Sequence, residues 1–448
     1  MTAAAPTARR RGWRALDSAA GGLALDLALY AGSAGFAALT AATSTLLPHR
    51  AWGGTAAIGY LVAALAATAQ LLVRRHDPGS PLVSLPARWA VTLVTWVTTA
   101  LLPLVLQSVE RAAGRTDRAQ EEVLVVEQAG ARLVDHGTPY LGHDAIAALP
   151  ADERLLGYTP YQPGMALFGL PRAAADGWWT DARVWFALGT ALALALAVAA
   201  LRTDATAPRT DATADRHRTP ALLRAVQAAT VLPICALTLA TGGDDLPVLA
   251  LCLLALALAA TGRPGRAGVA VGLAGALKLF AWPVALVLII WGATRRAGVR
   301  VAAGAVGLPV AALLPALLVD RDALVENVLR FPLGHGLVTS PAQSPFPGHL
   351  IATGLPGGRL IAAGLLVAAG AAIAVRLALR PPRTAATTAL ICGYGLLAAI
   401  ALMPSTRFGY LLYPLALLAL APALHDPEQA ATDPALSGNS RAVARGRA

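Results

Sequence analysis

Four acids fall within the stretch QEEVLVVEQAGARLVDHGTPYL, residues 120–141: Glu121, Glu122, Glu127 and Asp135. A carboxylate near an apolar surface can take the proton from an attacking hydroxyl, because partial desolvation makes such a group more basic. Glu122 and Glu127 lie five apart, so on a helix they sit roughly a face apart rather than stacked. One of the two is therefore expected to face a cavity and the other not. The bland alternative is a solvated amphipathic helix lying on a bilayer, the usual fate of a surface charge run.

Further polar groups interrupt apolar sequence. In Gly242-Gly243-Asp244-Asp245 two adjacent acids stand between apolar runs. Ionisable groups at a lipid boundary are costly and often functional. The alternative is an outer turn, with Gly-Gly supplying positive φ and the acids supplying solubility. Lys278 is the lone lysine of the chain, inside AGVAVGLAGALKLFAWPVALVLII. Small residues around it point to a packed interior helix, where an ammonium could hold a lipid phosphate rather than snorkel. The loop ENVLRFPLGHGLVTSPAQSPFPGH, residues 326–349, offers Arg330, His335, Gln343 and His349 on a rigid Pro- and Gly-rich backbone suited to a substrate wall or lid. Arg407, in STRFGY, is a second candidate phosphate clamp, since a guanidinium matches phosphate geometry. No Walker motif, dinucleotide fingerprint or zinc spacing accompanies these groups. No metal ligand set and no cofactor are expected, and an inner nucleotide-sugar site is unsupported.

The elements that must position these residues are membrane helices. Hydrophobic residues make up 56% of the chain and charged ones 14%, where a soluble domain averages nearer ~25% charged. The fold class is all-α, a polytopic transmembrane helix bundle of about 11–12 membrane segments. Spans are expected near 22–47, 54–73, 86–107, 182–201, 222–240, 246–261, 267–279, 280–293, 299–319, 359–379, 385–402 and 408–423. Net charge is +11, yet the arginines sit in short segments between apolar runs, where they orient helices instead of binding nucleic acid. Cys235, Cys252 and Cys392 fall inside spans as small hydrophobes.

Arginine placement also sets topology. With the N-terminus inside, the clusters at Arg9–Arg14, Arg74/Arg75, Arg202–Arg218, Arg263/Arg266, Arg295–Arg300, Arg376–Arg383 and Arg441–Arg447 all stay inside, provided residues 267–293 form a hairpin with Lys278 near its outer turn. Both termini are then cytoplasmic, in the plasma membrane. The loops 108–180 and 320–358 and the turns 241–247 and 403–409 face outside. Residues 1–21 are a basic flank, 203–219 a low-complexity polar linker, and 424–448 a disordered tail.

Four pieces of sequence resemble the GT-C membrane glycosyltransferases, in particular glycosyltransferase family 87, which includes actinobacterial polyprenol-phosphate-mannose-dependent mannosyltransferases. VVEQAGARLVDHGTPYL is similar to the family's acid, helix and Gly-x-x-Tyr. YTPYQPGMALFGLP resembles a later segment of the same loop. The run from GGDDLP to KLFAWP resembles its paired helices, and SPAQSPFPGHL with PSTRFGYLLYP its later outer loops. The resemblance covers residues 86–423, leaving the helices in 22–85 as an addition. It implies a GT-C-like core whose long first outer loop, 108–180, carries short helices.

The resemblance further implies an inverting hexosyltransferase, with mannose as the expected sugar. The donor would be a polyprenyl-phosphate-linked sugar met in the membrane lipid, and the acceptor a cell-envelope glycolipid or polysaccharide outside. The base carries over to Glu122 or Glu127. The family's usual Asp aligns with Val123, one place after Glu122. Tyr140 and Tyr161 are implied as substrate-binding, Asp244 and Asp245 as acceptor contacts, and Lys278 and Arg407 are inferred for the donor phosphate. A lipid-linked sugar flippase or small-molecule transporter is the competing class, with Lys278 and the GGDD acids as a relay, but no symmetric pair of broken halves supports it.

Overall fold

Twenty-residue apolar runs leave the backbone no partner but itself, and the chain answers with helices throughout. The computed structural model describes residues 19–202 and 212–424. The basic flank and the tail lie outside the described residues, apart from the first few and last positions next to them. In chain order the principal helices are α1 Leu23–Thr43, α2 Leu47–His76, α3 Leu85–Ala112, α4 Glu121–His136, α5 Ala182–Arg202, α6 Ala212–Thr230 and α7 Pro233–Thr241. There follow α8 Asp245–Ala260, α9 Pro264–Leu277, α10 Trp282–Thr294, α11 Gly298–Val319, α12 Arg321–Val325, α13 Pro347–Gly354, α14 Gly358–Leu379, α15 Ala385–Leu402 and α16 Leu412–Leu420. No strand occurs among the described residues, only an isolated bridge between Gln343 and Thr406.

Seven of these helices are long and apolar enough to cross a membrane, or eight if the bent pair within residues 219–241 is one span; three shorter apolar helices add to them. The protein is an all-α polytopic membrane bundle. Within the segment expected as a linker, residues 212–219 instead open helix α6. Pro220 follows a sequence of ordinary helix formers such as Ala212, Ala214 and Arg218, and compositional polarity alone does not prevent such a run from being helical.

Contacts divide the chain into two units. The first comprises residues 1–123, 176–184 and 230–244. It joins the helices of 22–85 to the first helix of the expected core. Arg88 on α3 donates to Asp26 on α1 at 2.6 and 3.2 Å, both side chains being buried. Gly53 lets α2 approach α1 closely, since a Cβ there would stand 2.6 Å from the Ala37 carbonyl. Within α3 the winding loosens to a π turn over Val97–Leu101. Pro103 has no N–H to give the carbonyl four residues back, and the Trp52 indole donates to that Thr99 carbonyl at 2.8 Å.

The second unit comprises residues 124–175, 185–229 and 245–448. Helix α8 is buried along nearly its whole length and forms its core. Helices α9 and α11 meet through Gly268, Gly272 and Gly304. A Cβ on Gly272 would lie 2.0 Å from the Gly304 carbonyl, so only glycine permits this approach. Helix α14 keeps large apolar side chains such as Leu360 and Leu379 exposed, as a lipid-facing helix does.

Candidate functional site

The long apolar stretch 267–293 breaks at Lys278, whose backbone is extended between α9 and the turn Leu279–Ala281. Pro283 lies at the start of α10, where a missing N–H costs nothing. The carbonyls freed at the end of α9 find other donors. The Trp282 indole serves Gly275 at 3.1 Å and the Gln162 N–H serves Leu277 at 3.1 Å. Leaving the helix axis carries the Lys278 side chain to α8, where its ammonium meets Asp245 at 2.6 Å. The Tyr413 hydroxyl donates to the same carboxylate oxygen at 2.8 Å.

Aromatic rings enclose this pair. The Lys278 ammonium lies 5.2 Å from the Tyr161 ring centroid and 5.7 Å from that of Tyr410, within cation–π range. Phe280 stacks on Tyr413 at 5.2 Å and packs on Tyr410 at 4.6 Å. Lys278 and Asp245 are both 7% exposed, so the ions are desolvated and each depends on the other. The tyrosines give this pair a wall with apolar faces and polar edges.

A seven-residue 3-10 turn, Pro163–Gly169, ties this cluster to helix α4. At its start Gly164 lies against α9, where a Cβ would stand 2.6 Å from the Ala276 carbonyl. At its end Gly169 lies against α4, where a Cβ would stand 2.1 Å from the Val126 carbonyl and 2.9 Å from the Glu127 Cα. The turn spans about 12 Å, with Tyr161 before one end and Glu127 at the other. Glu127 is 7% exposed. Glu122, on the part of α4 that belongs to the first unit, is half-buried, while Glu121 and Asp135 are exposed. Tyr140 is buried, and its hydroxyl donates to the Tyr161 backbone carbonyl at 2.8 Å. It therefore positions Tyr161.

The loop candidates fall into two groups. Residues 342–349 zip onto 402–408: Ser344 N–H donates to the Thr406 carbonyl at 2.9 Å, and Thr406 N–H to Ala342 at 2.9 Å. The His349 ring stands 3.0 Å from the Pro404 carbonyl, and Phe346 packs on Phe408. This seam brings Gln343, His349 and the segment bearing Arg407 together. Arg330 and His335 lie apart from it, exposed, with Arg330 Nε 3.4 Å from Glu326. Asp244 is 1% exposed and lies in the first unit, after Gly242 in the left-handed region (φ 112°) that ends α7. Gly242 does supply positive φ, but neither acid of the turn is solvated.

Three polar centres escaped sequence reading. Glu326 is buried at the start of a π turn, Glu326–Arg330. It accepts from the Tyr158 hydroxyl at 2.9 Å and lies 3.3 Å from the His143 ring nitrogen. Asn327 beside it fixes the segment 141–159, accepting from Thr159 N–H at 2.7 Å and donating to the Leu141 carbonyl at 2.8 Å. One signal was available: Glu326 is the last acid before Asp426. The second is Arg132 on α4, bound to Gln128 at 3.0 Å and facing the Leu156 and Gly157 carbonyls, with no carboxylate partner among the described residues. Burial lowers its pKa to about 10, which leaves it cationic at neutral pH. The third is the first unit's Asp181. It receives both Arg183 nitrogens, at 2.8 and 2.7 Å, and Arg111 at 2.9 Å. Burial pushes the Asp181 carboxyl up, and the two guanidiniums more than reverse it, so it stays below the usual carboxylate range.

The model of glycosyltransferase family 87 matches residues 158–406, more than half of the chain. The matched range holds Tyr161, Asp244, Asp245, Lys278, Glu326, Arg330, His335, Gln343 and His349, and it begins after Glu122, Glu127 and Tyr140. No curated protein and no solved structure matches the chain.

Proposed function

The chain belongs to glycosyltransferase family 87, and from that premise we propose that this membrane glycosyltransferase moves a hexose, mannose first among candidates, from a polyprenyl phosphate to a cell-envelope glycolipid or polysaccharide. The observation that carries the reading is the buried Lys278–Asp245 pair inside its tyrosine wall, joined by a rigid turn to the buried Glu127. The donor enters sideways from the bilayer, with its phosphate toward Lys278 and its sugar along the turn toward α4.

Transfer is a single displacement at the anomeric carbon. A carboxylate, Glu127 ahead of Glu122 because it is the more buried, takes the proton of the acceptor hydroxyl. The acceptor oxygen forms its bond to the anomeric carbon as the bond to the phosphate oxygen breaks, which inverts the centre. Polyprenyl phosphate leaves with the electron pair. Lys278 and the other outer cations, Arg132 and Arg407, favour the charge that gathers on the departing phosphate. Holding both substrates in line supplies the rest.

The test is a transfer assay in nanodiscs with radiolabelled polyprenyl-phosphate mannose and an envelope lipid extract. Labelled product that disappears in Glu127→Gln but persists in Glu122→Gln supports the reading. Loss only in Glu122→Gln moves the base to Glu122. If well-folded protein makes no product from any polyprenyl-phosphate hexose, yet moves the labelled lipid between leaflets, the flippase class replaces this one.

A further inference from the structure

At the end of the second unit remote from Lys278 along α9, Arg263, Arg266 and Arg300 line an open cleft of about 450 Å³ with Pro264 and Gly265. None of the three guanidiniums has a hydrogen-bond or ion-pair partner among the described residues. The sequence explains why: it contains no Asp or Glu between Asp245 and Asp320, and none between Glu326 and Asp426. Neighbouring cations deepen the imbalance. Arg295 reaches the Arg383 backbone carbonyl at 3.0 Å, which draws the 380–383 segment and its arginines to the same end. The cleft also sits where α9 and α11 begin, and those helix starts carry positive partial charge of their own.

Unpaired arginines merely marking the inner side would fan into water. These three instead line one open surface site together, and the glycine contact between Gly268 and Val301 keeps their helices at fixed spacing. Guanidinium forks match phosphate oxygens two at a time. We propose that this cleft binds the phosphate of an anionic glycerophospholipid headgroup in the arginine-rich leaflet. It is a second lipid site, separate from the donor cluster. Juxtamembrane arginines are drawn to an anionic bilayer surface, and three of them lining one site add selectivity for a headgroup at one place.

The test compares full-length protein in nanodiscs of phosphatidylcholine with nanodiscs holding an increasing share of phosphatidylglycerol, read by thermal midpoint and by native mass spectrometry of retained lipid. The wild type should gain midpoint with phosphatidylglycerol and keep one bound anionic lipid. Arg263→Lys/Arg266→Lys/Arg300→Lys preserves every charge and removes the forks. It should lose most of that gain and the retained lipid, while its midpoint in phosphatidylcholine stays at the wild-type value. Arg376→Gln, outside the cleft, should behave as wild type. A full gain retained by the triple Lys variant overturns the proposal, as does an equal loss in Arg376→Gln. Inorganic phosphate is the remaining arm: a full midpoint gain from it in phosphatidylcholine would overturn the lipid as ligand in favour of a free anion.

Discussion

The Tyr140 hydroxyl reaches the backbone of Tyr161, donating to its carbonyl at 2.8 Å, and the Tyr161 ring in turn stands 5.2 Å from the Lys278 ammonium. Burial keeps the Tyr140 hydroxyl well above its ordinary pKa, so it remains a donor across physiological pH. Tyr140→Phe leaves a buried carbonyl without its donor, a cost of about 1–3 kcal/mol. The variant should unfold at lower temperature and raise KM for the donor more than it lowers kcat, because Tyr161 is displaced while the base is intact. Unchanged KM with a lowered midpoint would confine Tyr140 to a packing role.

The Lys278–Asp245 pair gives a sharper energetic prediction. Removing one partner from a buried pair strands a charge, at about 3–5 kcal/mol, whereas replacing both with apolar residues is often neutral. Lys278→Met and Asp245→Leu should each lower the thermal midpoint strongly, and the double variant should recover most of it. Transfer should vanish in every variant lacking Lys278, the refolded double variant included. A double variant that regains both stability and transfer would remove Lys278 from the donor site.

These two cases show how much the sequence made legible. The all-α membrane class was plain, because long apolar runs admit no other backbone solution. Lys278 stood out as the lone lysine among small residues, and Asp245 as an acid at a span boundary. Their meeting was not legible: it depends on α9 breaking at Lys278 while Trp282 and Gln162 satisfy the freed carbonyls, a tertiary event with no local signature. Tyr140 was visible only as part of a motif, and its partner is a main-chain atom, which carries no sequence identity. Glu326 was passed over because its neighbours Asn327 to Phe331 read as loop, yet a π turn and Tyr158 bury it.

Asp181 carries the pH prediction. Its folded pKa is lowered, net of burial, by Arg183 and Arg111. The stabilisation is therefore complete above the unfolded carboxylate value of about 3.9 and is lost as pH falls through the lower folded value. Thermal midpoints taken from pH 6 to pH 3 should be flat at first and then fall. Asp181→Asn should be less stable at pH 6 and should lose that part of the acid limb. An unaltered acid limb in the variant would assign it to other carboxylates.

The tie between α4 and the 3-10 turn predicts a distinct mutant class. A methyl group at Gly169 would meet the Val126 carbonyl at 2.1 Å, a backbone atom that cannot rotate away. Gly169→Ala must push the turn off α4 and move Glu127 relative to Tyr161, at about 1–3 kcal/mol of overpacking. Transfer should drop further than stability implies: roughly tenfold to a hundredfold, since a displacement near 1 Å can cost that much. Gly354→Ala, where a Cβ meets nothing within 4 Å, is the control and should leave both untouched. Parallel, small losses in both variants would show that the turn does not set the geometry of transfer.

Two buried glutamates of the second unit, Glu127 and Glu326, remain to be separated as base. Glu326 accepts the Tyr158 hydroxyl on one oxygen, which ties its carboxylate to Tyr158, while its other oxygen is buried without a hydrogen-bond partner, 3.4 Å from the Arg330 guanidinium. Burial raises the Tyr158 pKa, and the bond to Glu326 adds to it, which keeps that hydroxyl a donor. Glu326→Gln should therefore lower the midpoint and retain measurable transfer. Glu127→Gln should lose transfer by about 10²–10⁴, the usual worth of a general base. The opposite pattern would make Glu326 the base and reduce Glu127 to a packing residue of α4.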